Sequence, residues 1–248
     1  MSDIKVCAAI ESDCNDILRF LRESYYPEEP LTLALKPFQQ ADEDEEFNMS
    51  CIKHGTCIIA YAEDDKNNAT SVKTSSDIKN NGSEINSTTN TINARNLLGA
   101  LIAGPKYPGE AEHLMDASNT VKSMKWSKML KLLSYLELKS NVFENFNCQS
   151  AVHCHAMAVH QNARGKSIGL KMLKEFIKVC KNLKYPVITL DCTSVYSIKL
   201  CEKLNMVCLH EMNFEDYRNE HGEQVFTPPS PHKQIKTFAK RTDDDDVI

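Results

Sequence analysis

The 248-residue chain has no run near the roughly 20 apolar residues that a membrane-spanning helix needs, so no membrane partner is expected. It also has no excess of positive charge: 29 Lys and Arg face 34 Asp and Glu, a formal net charge of −5, which argues against nucleic-acid binding. None of the ten cysteines forms a CxxC pair, and the short, polar N-terminus is not a targeting segment. We therefore expect reduced thiols in a cytoplasmic, monomeric protein, with the cysteines in its core.

Two common phosphate-binding motifs, GxGxxG and GxxxxGK[ST], are missing as well. Residues 157–176 instead predict the end of a strand, a basic turn and a helix. A helix N-terminus offers unpaired N–H donors to a phosphate, Arg164 and Lys166 add charge there, and Gly165 lets the backbone approach a ligand. The competing interpretation is an ordinary strand-to-helix turn whose basic residues are solvated.

Alternating and helical patterns along the chain predict an α/β protein in a single domain, residues 1–240. A β-α-β unit with parallel strands is expected around the helix that follows the basic turn. Residues 64–95 are rich in Asn, Ser and Thr and poor in apolar side chains, so we expect a disordered insertion between two hairpin strands. Residues 241–248 form an acidic tail. The patterns also predict a surface helix over 40–52, a long helix over 122–143 and a left-handed helix stop at Asn205.

Two short segments carry candidate chemistry. Pro27 and Pro30 flank Glu28 and Glu29, so this acidic loop presents its carboxylates from a stiff backbone, although a solvated acidic turn is the plainer interpretation. Hydroxyl-bearing residues at 193–197 follow the apolar run 187–192. His153 and His155 share one strand face, but no third ligand is evident, so we predict packed or substrate-lining histidines and no metal.

The pattern Arg164-x-x-Ser167-x-Gly169 resembles the pyrophosphate loop of the GNAT N-acetyltransferases, Arg/Gln-x-x-Gly-x-Gly/Ala, with Ser167 replacing the first glycine. Together with the Pro-Glu-Glu-Pro loop, the segment from Thr193 to Ser197 and the later Pro231-His232, nearly the whole chain resembles the insect arylalkylamine N-acetyltransferases of that superfamily. The Gly-Phe usual after the short helix is Asn205-Met206 here.

This resemblance implies the GNAT fold, a mixed and twisted sheet splayed between its fourth and fifth strands and flanked by helices. It implies acetyl-CoA as co-substrate and no metal. The pantetheine arm is expected to pair with the backbone of Met157, Ala158 and Val159. The pyrophosphate is expected on the turn, which comprises Arg164, Gly165, Lys166, Ser167, Ile168 and Gly169.

The resemblance also implies roles on the amine side. A protonated amine must lose a proton before it attacks, and Glu29 matches the proposed base, with Glu28 as its competitor. Thr193 and Ser197 match a hydroxyl pair near the substrate. Tyr196 is the candidate acid for the leaving thiolate, or equally a packed helix-start aromatic. Substrate-binding residues are then Glu28, Pro30 and His232.

The expected function is N-acetylation of small biogenic arylalkylamines such as dopamine, octopamine, tyramine or serotonin, by direct attack in a ternary complex. One alternative is the same reaction on a polyamine or agmatine. A second is a non-catalytic acyl-CoA-binding module, suggested by Ser167. A peptide N-terminal acetyltransferase fits less well, because that group lacks the early Pro-Glu-Glu-Pro loop.

Overall fold

The computed structural model describes residues 3–35, 42–63 and 96–244. The expected insertion 64–95 and residues 245–248 of the acidic tail lie outside these ranges. Seven strands form one sheet in the order β1-β2-β3-β4-β5-β7-β6, and β4 and β5 are its parallel pair, as the β-α-β pattern predicted. The strands are β1 Ile4–Ala8, β2 Ile58–Ala62, β3 Leu97–Lys106, β4 Ala151–Val159, β5 Val187–Cys192, β6 Val207–Asn213 and β7 Gln234–Arg241.

Helices cover both faces of the sheet, which is the layering of an α/β domain. They are α1 Cys14–Ser24, α2 Pro30–Ala34, α3 Asp42–Ser50, α4 Glu110–Thr120, α5 Met124–Ser140, α6 Val142–Phe146, α7 Ile168–Asn182 and α8 Val195–Lys203. The apolar stripe of α7 packs on one face of the sheet, with α8 beside it. On the other face, α1 packs against β2 and β3. Within the described ranges, no helix is both long and apolar enough to cross a membrane.

The sheet opens between β4 and β5. Their ladder pairs only Val152–Cys154 with Ile188–Leu190, although both strands continue beyond it. On the β3 side, Ile102 opposes Ala156 and Ala103 opposes Cys154, so His155 is an extra residue in β4. Such a β-bulge bends a strand, and here it lies where β4 turns away from β5. The predicted splay between the fourth and fifth strands is confirmed.

Two helix predictions need correction. The single helix expected over 122–143 is interrupted at Asn141, whose φ of 40° separates α5 from α6. The surface helix expected over 40–52 is α3, yet its Asp44, Glu45 and Asn48 are buried. These polar residues can be buried because they have polar partners, which the sequence pattern does not show. Asp44 and Asn48 hydrogen-bond each other, and Glu45 pairs with Arg22 of α1. Helix α4 was not predicted.

The cysteines are free, as predicted, but not all lie in the core. Seven are buried, Cys7 and Cys14 are half-buried, and Cys208 is exposed. Asn205 has a φ of 51°, which confirms the predicted left-handed stop after α8. Trp126 is buried and packs near Phe47, with ring centroids 5.9 Å apart, in agreement with a core role.

Candidate active site

A cleft of about 500 Å³ lies where β4 and β5 diverge. All seven residues predicted for catalysis and amine binding line it: Glu28, Glu29, Pro30, Thr193, Tyr196, Ser197 and His232. Of the nine predicted coenzyme-binding residues, five line it: Met157, Ala158, Val159, Arg164 and Gly169. The other four, Gly165, Lys166, Ser167 and Ile168, complete the turn between Arg164 and Gly169. The fold thus brings four separate segments of the chain to one opening.

The backbone of β4 presents hydrogen-bonding groups to this opening. On the β3 side, the N–H of His160 donates to the carbonyl of Leu98 at 2.9 Å. Because successive residues of a strand face opposite edges, Met157 and Val159 direct their N–H and C=O groups the other way, into the split. The Val159 carbonyl accepts from Nε of Arg164 at 3.2 Å, in agreement with this direction. An extended ligand in the split can therefore pair with β4 like an added strand.

The turn before α7 explains why glycine is usual where this chain has a serine. Ser167 is the N-cap of α7 and has a φ of 58°, in the left-handed region where a Cβ is strained. Gly165 has a φ of 79°, which glycine adopts without cost. The serine therefore keeps the shape of a glycine turn and stores strain in it. It does not remove the turn's backbone N–H groups.

Close packing favours glycine at position 169. A Cβ at this position would lie 3.3 Å from Cδ2 of Leu200 and 3.8 Å from Cγ2 of Val159. The first turn of α7 can therefore lie tightly between β4 and α8. This close approach holds the N-terminus of α7 at the cleft.

Glu29 joins the early loop to the end of β5. It is the N-cap of α2, and its carboxylate accepts from the N–H groups of Leu31, at 3.0 Å, and Thr32. The hydroxyl of Thr193 donates to the same carboxylate at 3.2 Å. Glu29 is only 5% exposed, yet it lines the cleft. The predicted acidic loop therefore runs directly into the first turn of α2. Three donors hold the Glu29 carboxylate in one orientation.

Glu28 pairs with Arg164, whose Nη2 lies 2.5 Å from its Oε2. Both side chains are about half exposed. The ion pair connects the amine-side loop to the phosphate-side turn, across 136 positions of sequence. Arg164 thus already has an anionic partner that a phosphate must displace or share.

The start of α8 supplies the hydroxyl and aromatic candidates. Ser194, which was not predicted, caps the helix by accepting from the N–H of Ser197 at 3.1 Å, and the two hydroxyl oxygens are 2.9 Å apart. Tyr196 is 70% exposed, with its ring 5.9 Å from that of His232. Partial burial lowers the pKa of His232, so its Nδ1 is free to accept from the N–H of Val195 at 3.3 Å.

The cleft lining also includes residues outside the predicted set, among them Tyr25 and Asp191, and it includes His155, one of the two histidines predicted to be packed or substrate-lining. Burial, reinforced by Glu29, raises the pKa of the Tyr25 phenol well above its usual value, so it stays protonated. Burial holds the pKa values of His153 and His155 well below the ordinary value, so both imidazoles are neutral. Among the described residues, no group of three or more His, Cys, Asp or Glu could hold a metal.

Comparison with known proteins agrees with this geometry. Residues 131–206, from α5 through the turn to the end of α8, match the model of the acetyltransferase (GNAT) family. A mosquito arylalkylamine N-acetyltransferase-like 5b structure is 30% identical, with a TM-score of 0.80, over 96% of this chain and 100% of that one. A Drosophila melanogaster polyamine N-acetyltransferase, described as catalysing formation of N-acetylagmatine, is 29% identical, with a TM-score of 0.80, over 96% and 100%. An agmatine N-acetyltransferase variant without ligand is 28% identical, with a TM-score of 0.80, over 96% and 99%.

The splayed sheet, the basic turn before α7 and these similarities define an acetyl-CoA-dependent N-acetyltransferase. The chain belongs to the GNAT acetyltransferase family, and its structural neighbours include the insect arylalkylamine N-acetyltransferases that its motifs resemble.

Proposed function

We propose that the protein acetylates the primary amine of a small biogenic amine, with arylalkylamines as the substrate class that its motifs favour. The observation that carries this proposal is the position of Glu29. Its buried carboxylate lines the same cleft as the strand edge at Met157 and Val159, where the thioester is expected. A base and an acyl donor can therefore meet a single amine nitrogen.

Backbone groups provide most of the proposed acetyl-CoA site. The residues present fit the co-substrate, because Met157 and Val159 lie on a strand edge that β5 does not pair and the N-terminus of α7 offers N–H donors to the pyrophosphate. Arg164 adds the positive charge that a phosphate prefers. Ser167 in place of glycine strains this turn but leaves its donors in position.

Side chains carry out the proposed steps on the amine. Glu29 takes a proton from the substrate ammonium, and the free nitrogen attacks the thioester carbonyl carbon. A backbone N–H of β4 stabilises the oxyanion that develops on the carbonyl oxygen. The C–N bond forms, and the nitrogen releases its second proton to water in the open cleft. The C–S bond breaks, and the thiolate of CoA takes a proton from Tyr196 at the cleft mouth, which regains one from water. Thr193 keeps the Glu29 carboxylate oriented, and Ser197 shapes the start of α8 beside it.

A second candidate keeps the reaction and changes the amine. Polyamines or agmatine are favoured by two solved structures of comparable similarity that carry those names. The cleft supports this alternative too, because carboxylates from Glu28, Glu29 and Asp191 line it.

A turnover assay with acetyl-CoA and an amine panel tests the proposal. Released CoA thiol is measured with dopamine, tyramine, serotonin, agmatine and 1,4-diaminobutane, and with a peptide N-terminus as the control acceptor. Saturable turnover with at least one small amine supports the proposal. Binding of CoA without turnover on any amine would instead indicate the non-catalytic acyl-CoA-binding module.

A further inference from the structure

Asp191 is a carboxylate at the floor of the cleft for which the reaction described above has no use. It lies on β5, where side chains alternate, so Thr189 and Asp191 share one face, and Thr193 follows directly after the strand ends. Its side chain is 11% exposed, and it lines the cleft.

The described contacts of Asp191 are with neutral groups. Its Oδ1 accepts from the hydroxyl of Thr237 at 2.5 Å. Its Oδ2 lies 3.7 Å from Nε2 of His153, an imidazole that burial keeps uncharged. Two groups act on it from further away: Lys106, which is itself paired with Glu137 at 2.5 Å, and His210, an imidazole whose pKa burial lowers. A buried carboxylate without a close cation is costly, and burial accordingly raises the pKa of Asp191.

The other charged side chains of the cleft do not neutralise the Asp191 carboxylate. Arg164 is paired with Glu28, which leaves Glu29 and Asp191 as the remaining carboxylates of the lining. Lys125 lies near Glu29, but its charge is shared with the buried Asp44. The amine side of the cleft therefore has an excess of negative charge, which suits a ligand with more than one positive charge.

Glu29 and Asp191 meet the cleft near the same end of β5. Glu29 is tied to Thr193 by a hydrogen bond, and Asp191 is two residues before Thr193, about 6.6 Å back for extended chain at 3.3 Å per residue. Both carboxylates line the cleft, so an amine bound at Glu29 can extend its far end toward Asp191. This spacing matches a linear molecule with a nitrogen at each end.

We infer that Asp191 binds the distal cationic group of the amine substrate, an ammonium or guanidinium, while Glu29 faces the nitrogen that is acetylated. The inference rests on the proposed function and selects its second candidate class: aliphatic amines with a second positive charge are preferred over amines with an uncharged tail, arylalkylamines included. Asp191 is then a specificity-determining residue and takes no part in proton transfer.

The first test compares matched substrates on the wild-type protein. Steady-state kcat/KM is measured for agmatine, for α,ω-diamines of increasing chain length, for n-alkylamines of the same lengths and for phenethylamine. We expect each favourable diamine to exceed its n-alkylamine by about tenfold or more, with an optimum chain length, because the second charge gains a charge-assisted hydrogen bond. Equal values for diamines and n-alkylamines would overturn the inference.

The second test uses Asp191→Asn, which keeps the oxygen that accepts from Thr237 and removes the charge. Asp216→Asn, an exposed substitution outside the cleft, is the matched control. We expect Asp191→Asn to lower kcat/KM for agmatine and the best diamine by roughly tenfold to a hundredfold and to leave n-alkylamines within about twofold. An equal loss on all amines, or no loss on any, would overturn the inference.

The tests distinguish a failure of the Asp191 assignment from a failure of the proposed function. If the wild type acetylates amines without regard to a second charge, the assignment of Asp191 fails and the proposed function stands. If it acetylates no amine while CoA still raises its melting temperature, the proposed function fails and the inference fails with it. The wild-type substrate series decides the question even if Asp191→Asn does not fold.

Discussion

The guanidinium of Arg164 donates to the carboxylate of Glu28 at 2.5 Å and to the carbonyl of Val159 at 3.2 Å. One side chain thus connects the phosphate-side turn, the open edge of β4 and the amine-side loop. A pyrophosphate that binds at this turn competes with Glu28 for the same cation.

Reversing the charge of Arg164 tests its role in binding CoA. We expect Arg164→Glu to abolish most of the rise in melting temperature that CoA produces, because ligand stabilisation follows from affinity for the native state. Glu28→Gln should act in the opposite direction and tighten CoA binding up to about fivefold, since an exposed ion pair is worth up to about 1 kcal/mol. Unchanged CoA-dependent stabilisation in Arg164→Glu would contradict the pyrophosphate assignment.

Glu29→Gln separates catalysis from helix capping. The amide keeps one oxygen, which can still accept from one of the two N–H groups that cap α2, Leu31 at Oε1 or Thr32 at Oε2, but it cannot take a proton. We expect turnover to fall by roughly 10²–10⁴-fold, the usual contribution of a positioned general base, with the CoA-dependent rise in melting temperature preserved.

Glu29→Ala and Glu28→Ala complete this comparison. Glu29→Ala should show the same loss of turnover and, in addition, a loss of about 1 kcal/mol in the free energy of unfolding, because α2 loses its cap. Glu28→Ala should have a much smaller effect on turnover. Full activity in Glu29→Gln would remove Glu29 from the mechanism, and a large loss only in Glu28→Ala would show that the adjacent carboxylate is the base.

Ser167→Gly should stabilise the protein. The φ of 58° at this position costs a non-glycine residue about 1–2 kcal/mol, part of which the more flexible glycine loses again in the unfolded chain. We expect a gain of up to about 1 kcal/mol in the free energy of unfolding by urea denaturation, without loss of CoA binding. Ser167→Ala is the control and should give no gain. Destabilisation by glycine would show that the serine side chain has a role of its own.

Asp44→Asn should change how stability depends on pH. Burial raises the pKa of Asp44 to about 7, from its ordinary value of 3.8. Between these values the native state retains a proton that the unfolded state has lost, so stability falls as pH rises, by at most about 1.4 kcal/mol per unit. Urea denaturation from pH 4 to 8 should show a flatter profile for Asp44→Asn.

Glu43 provides the control for this pH profile. The N–H groups of Lys122 and Ser123 lower the pKa of this exposed carboxyl, so its contribution has the opposite sign and is lost as pH falls into the acidic range. Glu43→Gln should therefore leave the profile between pH 5 and 7 unchanged. An unaltered slope in Asp44→Asn would show that another group titrates in this window.

The sequence by itself determined the local elements and the nature of the reaction. The apolar spacing in α7 and the apolar run of β5 needed no tertiary information, because helical and strand periods are properties of the chain alone. The turn from Arg164 to Gly169 likewise carries its own signal, since backbone N–H groups at a helix start suit a phosphate wherever the helix lies. The buried polar face of α3 was missed, because acidic residues in sequence do not reveal the partners that bury them.

Only the tertiary structure decided how these parts meet. The bulge at His155 exists only relative to the register of β3, so no pattern within β4 could reveal where the sheet opens. Glu28 meets Arg164, and Glu29 meets Thr193, across more than 130 positions of sequence, and contacts at such separation follow from packing. In the sequence, Asp191 is a single polar residue within a predicted buried strand. It lines the cleft because β4 bends away from β5 and leaves the Asp191 carboxylate uncovered.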